Sequence, residues 1–129
     1  MKRLKNQKGQ SLVEFAMILP LLLLLVMAII EFGIMLNSYL AINNAAREGA
    51  RAGIVGSSST EIQNMIISAS PGLDAGDLTI AITPDDGSRR AGDTLTVKVT
   101  YNYHFTIPIL SSILNNAVSF NAQVSMRIE

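Results

Sequence analysis

The sequence predicts an α+β protein in which a long, partly transmembrane N-terminal helix packs on a small three-stranded antiparallel sheet with one short extra helix. Three observations predict this fold: an apolar stretch near the N-terminus, strict alternation of apolar residues later, and a length of only 129 residues. The chain is long enough for one small domain. Composition divides it into a basic leader over 1–9, a long helix over 10–56 and an α+β head over 57–129.

The composition also limits the chemistry that the chain can perform. It contains no cysteine and a single histidine, His104. Disulfides, thiolate metal sites and a cysteine nucleophile are therefore excluded, and little is left for a histidine-based centre. His104 falls on the polar face of a predicted strand, and its spacing identifies no catalytic partner. We expect no catalytic residue, no metal and no cofactor, and we expect no nucleic-acid partner because no large basic patch is present.

The apolar stretch predicts a membrane span at about 15–36. Residues 15–30 carry no charged or polar side chain, and 15–36 would measure about 33 Å as a helix, enough for a hydrocarbon core of about 30 Å. A buried core helix is the alternative, but so short a chain cannot surround a helix that is apolar on every side. The leader holds four cations on the N-terminal side of the span: Lys2, Arg3, Lys5 and Lys8. This predicts a cytoplasmic N-terminus and an exported head.

The helical pattern continues beyond the span to about Val55, because no proline interrupts it. Small residues recur along one side, at Ala41, Ala45, Gly49 and Ala52 or Gly53. Small residues at this spacing let another backbone approach closely. Two interpretations stay open: the stripe lies against the head's own sheet, or it forms a contact between subunits.

Local patterns define the rest of the head. Ser58 and Glu61 have the spacing of a capping box, which predicts a short helix that ends before Pro71 and Gly72. Alternating apolar residues then predict three strands that form a sheet with one solvent-exposed face. The alternating positions are Leu78, Ile80 and Ile82, then Leu95, Val97, Val99, Tyr101, Tyr103, Phe105 and Ile107, then Phe120, Ala122, Val124, Met126 and Ile128. A helical turn over 109–114 would join the last two strands.

The segment KGQSLVEF, residues 8–15, is the most informative motif. A carboxylate costs about 2.5–3.5 kcal/mol at the centre of a membrane and less near the end of a span, so Glu14 calls for an explanation. If the chain were cut after Gly9, Gln10 would present a new cationic amine and Glu14 would be the fifth residue.

These residues resemble a class III signal peptide, the type carried by type IV pilins and pseudopilins. More narrowly, GQSLVEFAMILPLLLLLVMAIIEFG followed by NNAAREGARAG is similar to the N-terminal region of TadE-like pilus assembly proteins, over about 9–55. The resemblance implies a minor pseudopilin of tight-adherence pili, cut between Gly9 and Gln10 by a prepilin peptidase. It also implies that Glu14 neutralises the N-terminal amine of a neighbouring subunit; the alternative is that Glu14 reaches the cytoplasmic headgroups without a partner.

The same resemblance implies the partners and the location. The partners are a prepilin peptidase, other minor pseudopilins, a major pilin, the inner-membrane platform and ATPase, and membrane lipid. The protein would cross the cytoplasmic membrane once.

Glu31 stands near the outer boundary of the span, where it would either pair with Arg47 or Arg51 of a subunit or reach the headgroups.

Other functions are compatible with parts of the sequence. One alternative is an unprocessed, signal-anchored protein whose external domain binds a partner. It would share every feature of the sequence, but Gly9 would not mark a cleavage site and Glu14 would not pair with a neighbouring subunit. Cleavage after Ala28 would release a soluble domain, although the apolar helix continues past that point. A hydrolase in the head is disfavoured by the scarcity of histidine and cysteine.

Overall fold

The computed structural model describes residues 3–129, and within the first helix it describes side chains from Gln7 onward. Met1 and Lys2 of the predicted leader, and the side chains of Arg3 and Lys5, lie outside the described residues. The first helix, α1, covers Arg3–Ile54 and runs through Gly9 and Pro20 without a break. At about 1.5 Å per residue it is about 78 Å long.

The remaining elements form the head and confirm the predicted α+β class. They are helix α2 (Ser59–Ser68), strand β1 (Leu78–Thr83), strand β2 (Thr94–His104), helix α3 (Pro108–Leu114) and strand β3 (Ala117–Arg127), with one turn of 3-10 helix before β1 (Ala75–Asp77) and one after it (Asp86–Ser88). The sheet has the order β1-β2-β3, and both pairs are antiparallel. Val99 at its centre lies opposite Ile80 on one side and Ala122 on the other.

The core lies between one face of the sheet and the C-terminal half of α1. The alternate side chains of β2 from Leu95 to Tyr103 are buried, as the period of two predicts. They meet Ile42, Ala45, Ala46 and Ala50 of α1 and Ile62 and Ile66 of α2. The strand is shorter than the alternation suggests, because Pro108 occupies the first turn of α3 and Ile107 becomes the N-cap of that helix.

The stripe of small residues on α1 is used within the chain. A Cβ added to Gly49 would lie 2.7 Å from Ile66 Cδ1, and one added to Gly53 would overlap Leu95 Cδ2. Both glycines therefore permit close packing of α1, on α2 and on β2 respectively. Of the two interpretations of the stripe, packing inside the head is the one found.

The N-terminus of α2 carries the predicted capping box. The Ser58 hydroxyl accepts a hydrogen bond from the Glu61 N–H at 3.3 Å, and the Ser58 N–H donates to Glu61 Oε2 at 2.8 Å. A carboxylate from the β1–β2 connection adds a further cap, since the Ser59 N–H donates to Asp86 at 2.8 Å. Arg89 pairs with Asp86 at 2.7 Å and donates to the Ser57 carbonyl at 2.9 Å. These contacts tie the connection to α2.

Candidate functional site

The N-terminal half of α1 presents a continuous apolar surface that the chain itself leaves uncovered. Large side chains between Leu12 and Leu36 are exposed on all sides of the helix, for example Met17 at 76% and Leu21 at 69%. Among the described residues, α1 is the helix long and apolar enough to cross a membrane. A core helix of a soluble protein would be covered by its own fold. This surface therefore requires lipid or other subunits to cover it.

Gly9, Gln10 and Glu14 lie at the N-terminal end of this surface, and all three are exposed. Gln10 Nε2 donates to Glu14 Oε1 at 3.4 Å, one helical turn away. A Cβ added to Gly9 would meet nothing within 4 Å, and Gly9 has an ordinary helical backbone. Packing and backbone geometry within the chain therefore do not explain why residue 9 is a glycine.

Glu31 is buried against the head of its own chain. It is only 3% exposed and is covered by the head of the same chain. Its Oε1 accepts a hydrogen bond from the Tyr103 hydroxyl at 2.6 Å and another from the Thr106 N–H at 2.9 Å. Within the chain, two donors from the end of β2 and the residues after it thus satisfy Glu31, which the sequence did not predict. Its expected contacts with Arg47 or Arg51 of another subunit or with the headgroups stay predictions.

We call Glu31, Tyr103 and Thr106 the Glu31 junction, because they join α1 to the head. Phe105 and Phe120 pack against the Tyr103 ring with centroid distances of 5.7 and 6.2 Å, and Tyr103 is only 4% exposed. Burial, together with the hydrogen bond to Glu31, raises the pKa of the Tyr103 hydroxyl. Tyr103 thus stays a donor at neutral pH, and a donor is what a buried carboxylate needs.

Arg47 and Arg51 are exposed on the part of α1 that packs on the head. No carboxylate forms a salt bridge with either of them among the side chains from Gln7 to Glu129. Their predicted contacts with other subunits stay predictions. His104 has a partner that sequence spacing did not identify: its Nε2, at the end of β2, lies 3.1 Å from Oδ1 of Asp77, the residue before β1.

The fold and the uncovered apolar helix define a membrane-anchored α+β protein in which a small head packs on the second half of one long helix. Residues 9–51 match the family model described as TadE-like protein. The resemblance seen in the sequence is thereby confirmed over this segment, and it fits a pilus-related membrane protein. The match contains Gly9, Glu14, Glu31, Arg47 and Arg51 and ends before α2. Comparisons with curated proteins and with solved structures find no significant match.

Proposed function

We propose that this protein is a minor pseudopilin in the assembly of a tight-adherence, type IV-like pilus, processed after Gly9 by a prepilin peptidase. It is a structural component and not an enzyme. Before assembly it crosses the cytoplasmic membrane once, with its N-terminus in the cytoplasm and its head outside. The observation that carries the proposal is the placement of Gly9 and Glu14, inside the TadE-like segment, at the end of an apolar helix that the chain leaves uncovered.

The exposed helix supports an assembly role because its surface suits two environments. Leu, Ile, Val and Met side chains from 12 to 30 are compatible with acyl chains. They are equally able to pack against the helices of other subunits, where association depends on van der Waals contact. Apart from the side of α1 that faces α3, the head leaves this surface free. A helix of this kind can therefore enter a helical bundle without unfolding the head.

The N-terminal segment supports processing. A peptidase that cuts between Gly9 and Gln10 needs an extended backbone, so this end of α1 must unwind locally. Glycine lowers helix stability by about 1 kcal/mol relative to alanine, and its lack of a side chain leaves the backbone accessible. Apart from the helix's own backbone, nothing lies within 4 Å of a Cβ placed on Gly9, so packing against another element does not resist unwinding there.

The carboxylate of Glu14 supports the next step. Cleavage creates an α-amine on Gln10, and the Gln10 side chain already lies beside Glu14. In a low-dielectric bundle, a carboxylate on one helix and an amine on its neighbour stabilise each other, whereas either alone is costly. Such a pair sets the axial register between two subunits.

The proposal is tested by intact mass and N-terminal sequencing of protein purified from membranes with and without a prepilin peptidase. A chain that begins at Gln10 only when the peptidase is present supports the proposal. A chain that begins at Met1 in both samples favours an unprocessed anchored protein that binds a partner. A chain that begins at Ile29 indicates a secreted head and contradicts the proposal.

Gly9→Leu is expected to reduce cleavage to a few per cent or less of the wild-type rate, because the leucine side chain obstructs the approach of the peptidase to the scissile bond. The measurement is the ratio of mature to precursor chains at a fixed time. Gly33→Leu is the matched control, because Gly33 is also helical and a Cβ there also meets nothing within 4 Å. The control should be processed normally, and normal processing of Gly9→Leu would contradict the proposed cleavage site.

Glu14→Ala is expected to leave cleavage largely intact and to lower incorporation beside other pilins by about tenfold or more, equivalent to about 1.4 kcal/mol. The reason is that the amine of the neighbouring subunit loses its counter-charge. Co-purification with the major pilin measures incorporation. Glu48→Ala removes an exposed carboxylate from the same helix outside the apolar surface and should leave incorporation unchanged. Normal assembly with Glu14→Ala would contradict the charge pair.

A further inference from the structure

We propose that α3 is a second membrane-contacting element, which lies in the outer leaflet beside α1 and holds the head against the bilayer through contact with lipid acyl chains. The inference rests on the proposed membrane orientation of the protein and adds a role for the β2–β3 connection. Four observations support it: the position of α3 along α1, the depth of that position, the chemistry of its exposed side chains, and the hydrogen bonds of its two serines.

The first observation is that α3 lies beside the apolar, N-terminal half of α1. A cavity of about 340 Å³ separates the two helices. It is lined by Pro20, Leu23, Leu24 and Met27 of α1 and by Ile107, Ile109 and Leu110 of the connection. A second cavity of about 220 Å³ lies nearer the head, between Ala28 and Phe32 on one side and Leu110 and Leu114 on the other. α3 therefore faces the segment of α1 that the sequence assigns to the membrane.

The second observation is depth. If the hydrocarbon begins where Glu31 enters the junction, residues 12–30 span about 28 Å, close to a bilayer core. The stretch from Pro20 to Ala28 then lies about 3–15 Å below the outer boundary, at about 1.5 Å per residue. If the boundary lies instead at Leu36, as predicted from the sequence, α3 is deeper still. Both positions place α3 within the hydrocarbon layer.

The third observation is the chemistry of the exposed surface. Ile109, Ile113 and Leu114 are 54%, 72% and 52% exposed, and none of them belongs to the head core. Residues 105–126 contain no Asp, Glu, Lys, Arg or His. Three large apolar side chains on one short helix would be unfavourable in water. Beside α1 they extend its apolar surface, as expected of an element that contacts the same lipid.

The fourth observation is that the two serine hydroxyls of α3 are satisfied inside the helix. Ser111 and Ser112 both donate to the Pro108 carbonyl, at 2.7 and 3.0 Å. Pro108 has no N–H to leave without a partner, and the Ser111 N–H donates to the Ile107 carbonyl at 3.2 Å. A serine hydroxyl that already donates within its own helix enters hydrocarbon at a lower cost than one without a partner. With the boundary at Glu31, the exposed Asn115 and Asn116, which follow Leu114 beside Ala28 and Phe32, lie near the headgroup region.

Depth-dependent quenching tests the inference on the full chain in phosphatidylcholine vesicles. Because the chain has no cysteine, single cysteines can carry an environment-sensitive fluorophore at three sites: Ile113→Cys in α3, Leu21→Cys in α1 and Lys98→Cys on the wet face of β2. Ile113 and Leu21 are exposed, so labels there displace no packed side chain. The quenchers are lipids with a nitroxide on the acyl chain and, separately, aqueous iodide.

We expect the label at 113 to be quenched by the nitroxide lipids to about the same degree as the label at 21, and by iodide about fivefold less than the label at 98. Strong iodide quenching at 113 with lipid quenching at 21 would overturn the role of α3 while leaving the membrane span of the proposed function intact. Absence of lipid quenching at 21 would overturn the membrane placement itself. Protection of 113 from both quenchers, with disulfide cross-linking of unlabelled Ile113→Cys chains, would show that a second copy covers α3 and would overturn lipid as its occupant.

Discussion

Gly53→Val is expected to lower the stability of the head by about 3 kcal/mol, because the new side chain enters a filled core. A Cβ at residue 53 overlaps Leu95 Cδ2 and lies 3.0 Å from Ile62 Cδ1. Leu95 and Ile62 are fully buried, so neither can move aside into solvent. The helix would have to shift away from β2 and lose contacts along its length.

Thermal unfolding in detergent micelles, followed by circular dichroism, measures this loss. A domain of this size loses about 4–8 °C of melting temperature for each kcal/mol, so we expect a fall of more than 10 °C. Gly33→Val is the control, because it makes the same change in the same helix where a Cβ meets nothing within 4 Å. It should shift the melting temperature little. Equal melting of the two variants would contradict the packing of α1 on β2.

Glu31→Ala is expected to cost the head about 3 kcal/mol, because it removes the acceptor of two hydrogen bonds at once. The Tyr103 hydroxyl is left buried without its partner, and the Thr106 N–H loses its acceptor. Hydrogen bonds to charged groups contribute about 1.5–3 kcal/mol each, and a buried donor without a partner adds a desolvation cost. We also expect the head to detach from α1 at the membrane end before the rest of the core unfolds, since no other polar contact joins them there among the side chains from Gln7 onward.

Tyr103→Phe separates the junction from general packing, because it keeps the aromatic ring and removes only the hydroxyl. Alone it should cost less than Glu31→Ala, since Thr106 still donates to the carboxylate. The double variant should lose less than the sum of the two single losses, by about 1–2 kcal/mol, because both changes break the same bond. Unfolding in micelles measures all three. Glu48→Ala, at an exposed site, should stay within about 0.5 kcal/mol of wild type. Strict additivity would show that the hydrogen bond contributes nothing.

Much of the fold was predictable because it rests on local patterns. The capping box at Ser58, the alternation through β2 and the helical turn after Pro108 each depend on residues close in the chain. The end of β2 was misplaced for a related reason: Phe105 and Ile107 continue the apolar alternation, but Pro108 starts a helix. The hydrophobicity of the side chains alone does not show that the backbone changes from strand to helix at this point.

The candidate site was predictable only in part. Gly9 and Glu14 could be identified without the structure. A glycine at the end of a basic leader and a carboxylate at the start of an apolar helix are both unusual, whatever tertiary fold the chain adopts. Glu31 also stood out, but its partners could not be read from spacing. Tyr103 and Thr106 lie more than 70 residues away from Glu31 in the chain. The only sequence feature that pointed to either partner is the position of Tyr103 on the apolar face of its strand, which predicts that its side chain is buried.

The sequence by itself determined that this protein has a membrane-length helix, a small antiparallel head and a TadE-like N-terminal segment, because composition, periodicity and short motifs are properties of neighbouring residues. Only the tertiary structure decided how the head is held: Gly49 and Gly53 admit α2 and β2 to the helix, Glu31 is satisfied by its own head, and α3 lies along the apolar half of α1. These features depend on which distant residues meet when α1 packs on the sheet. The physical reason is that close packing and buried hydrogen bonds are set by contacts between elements, which the order of residues along the chain does not display.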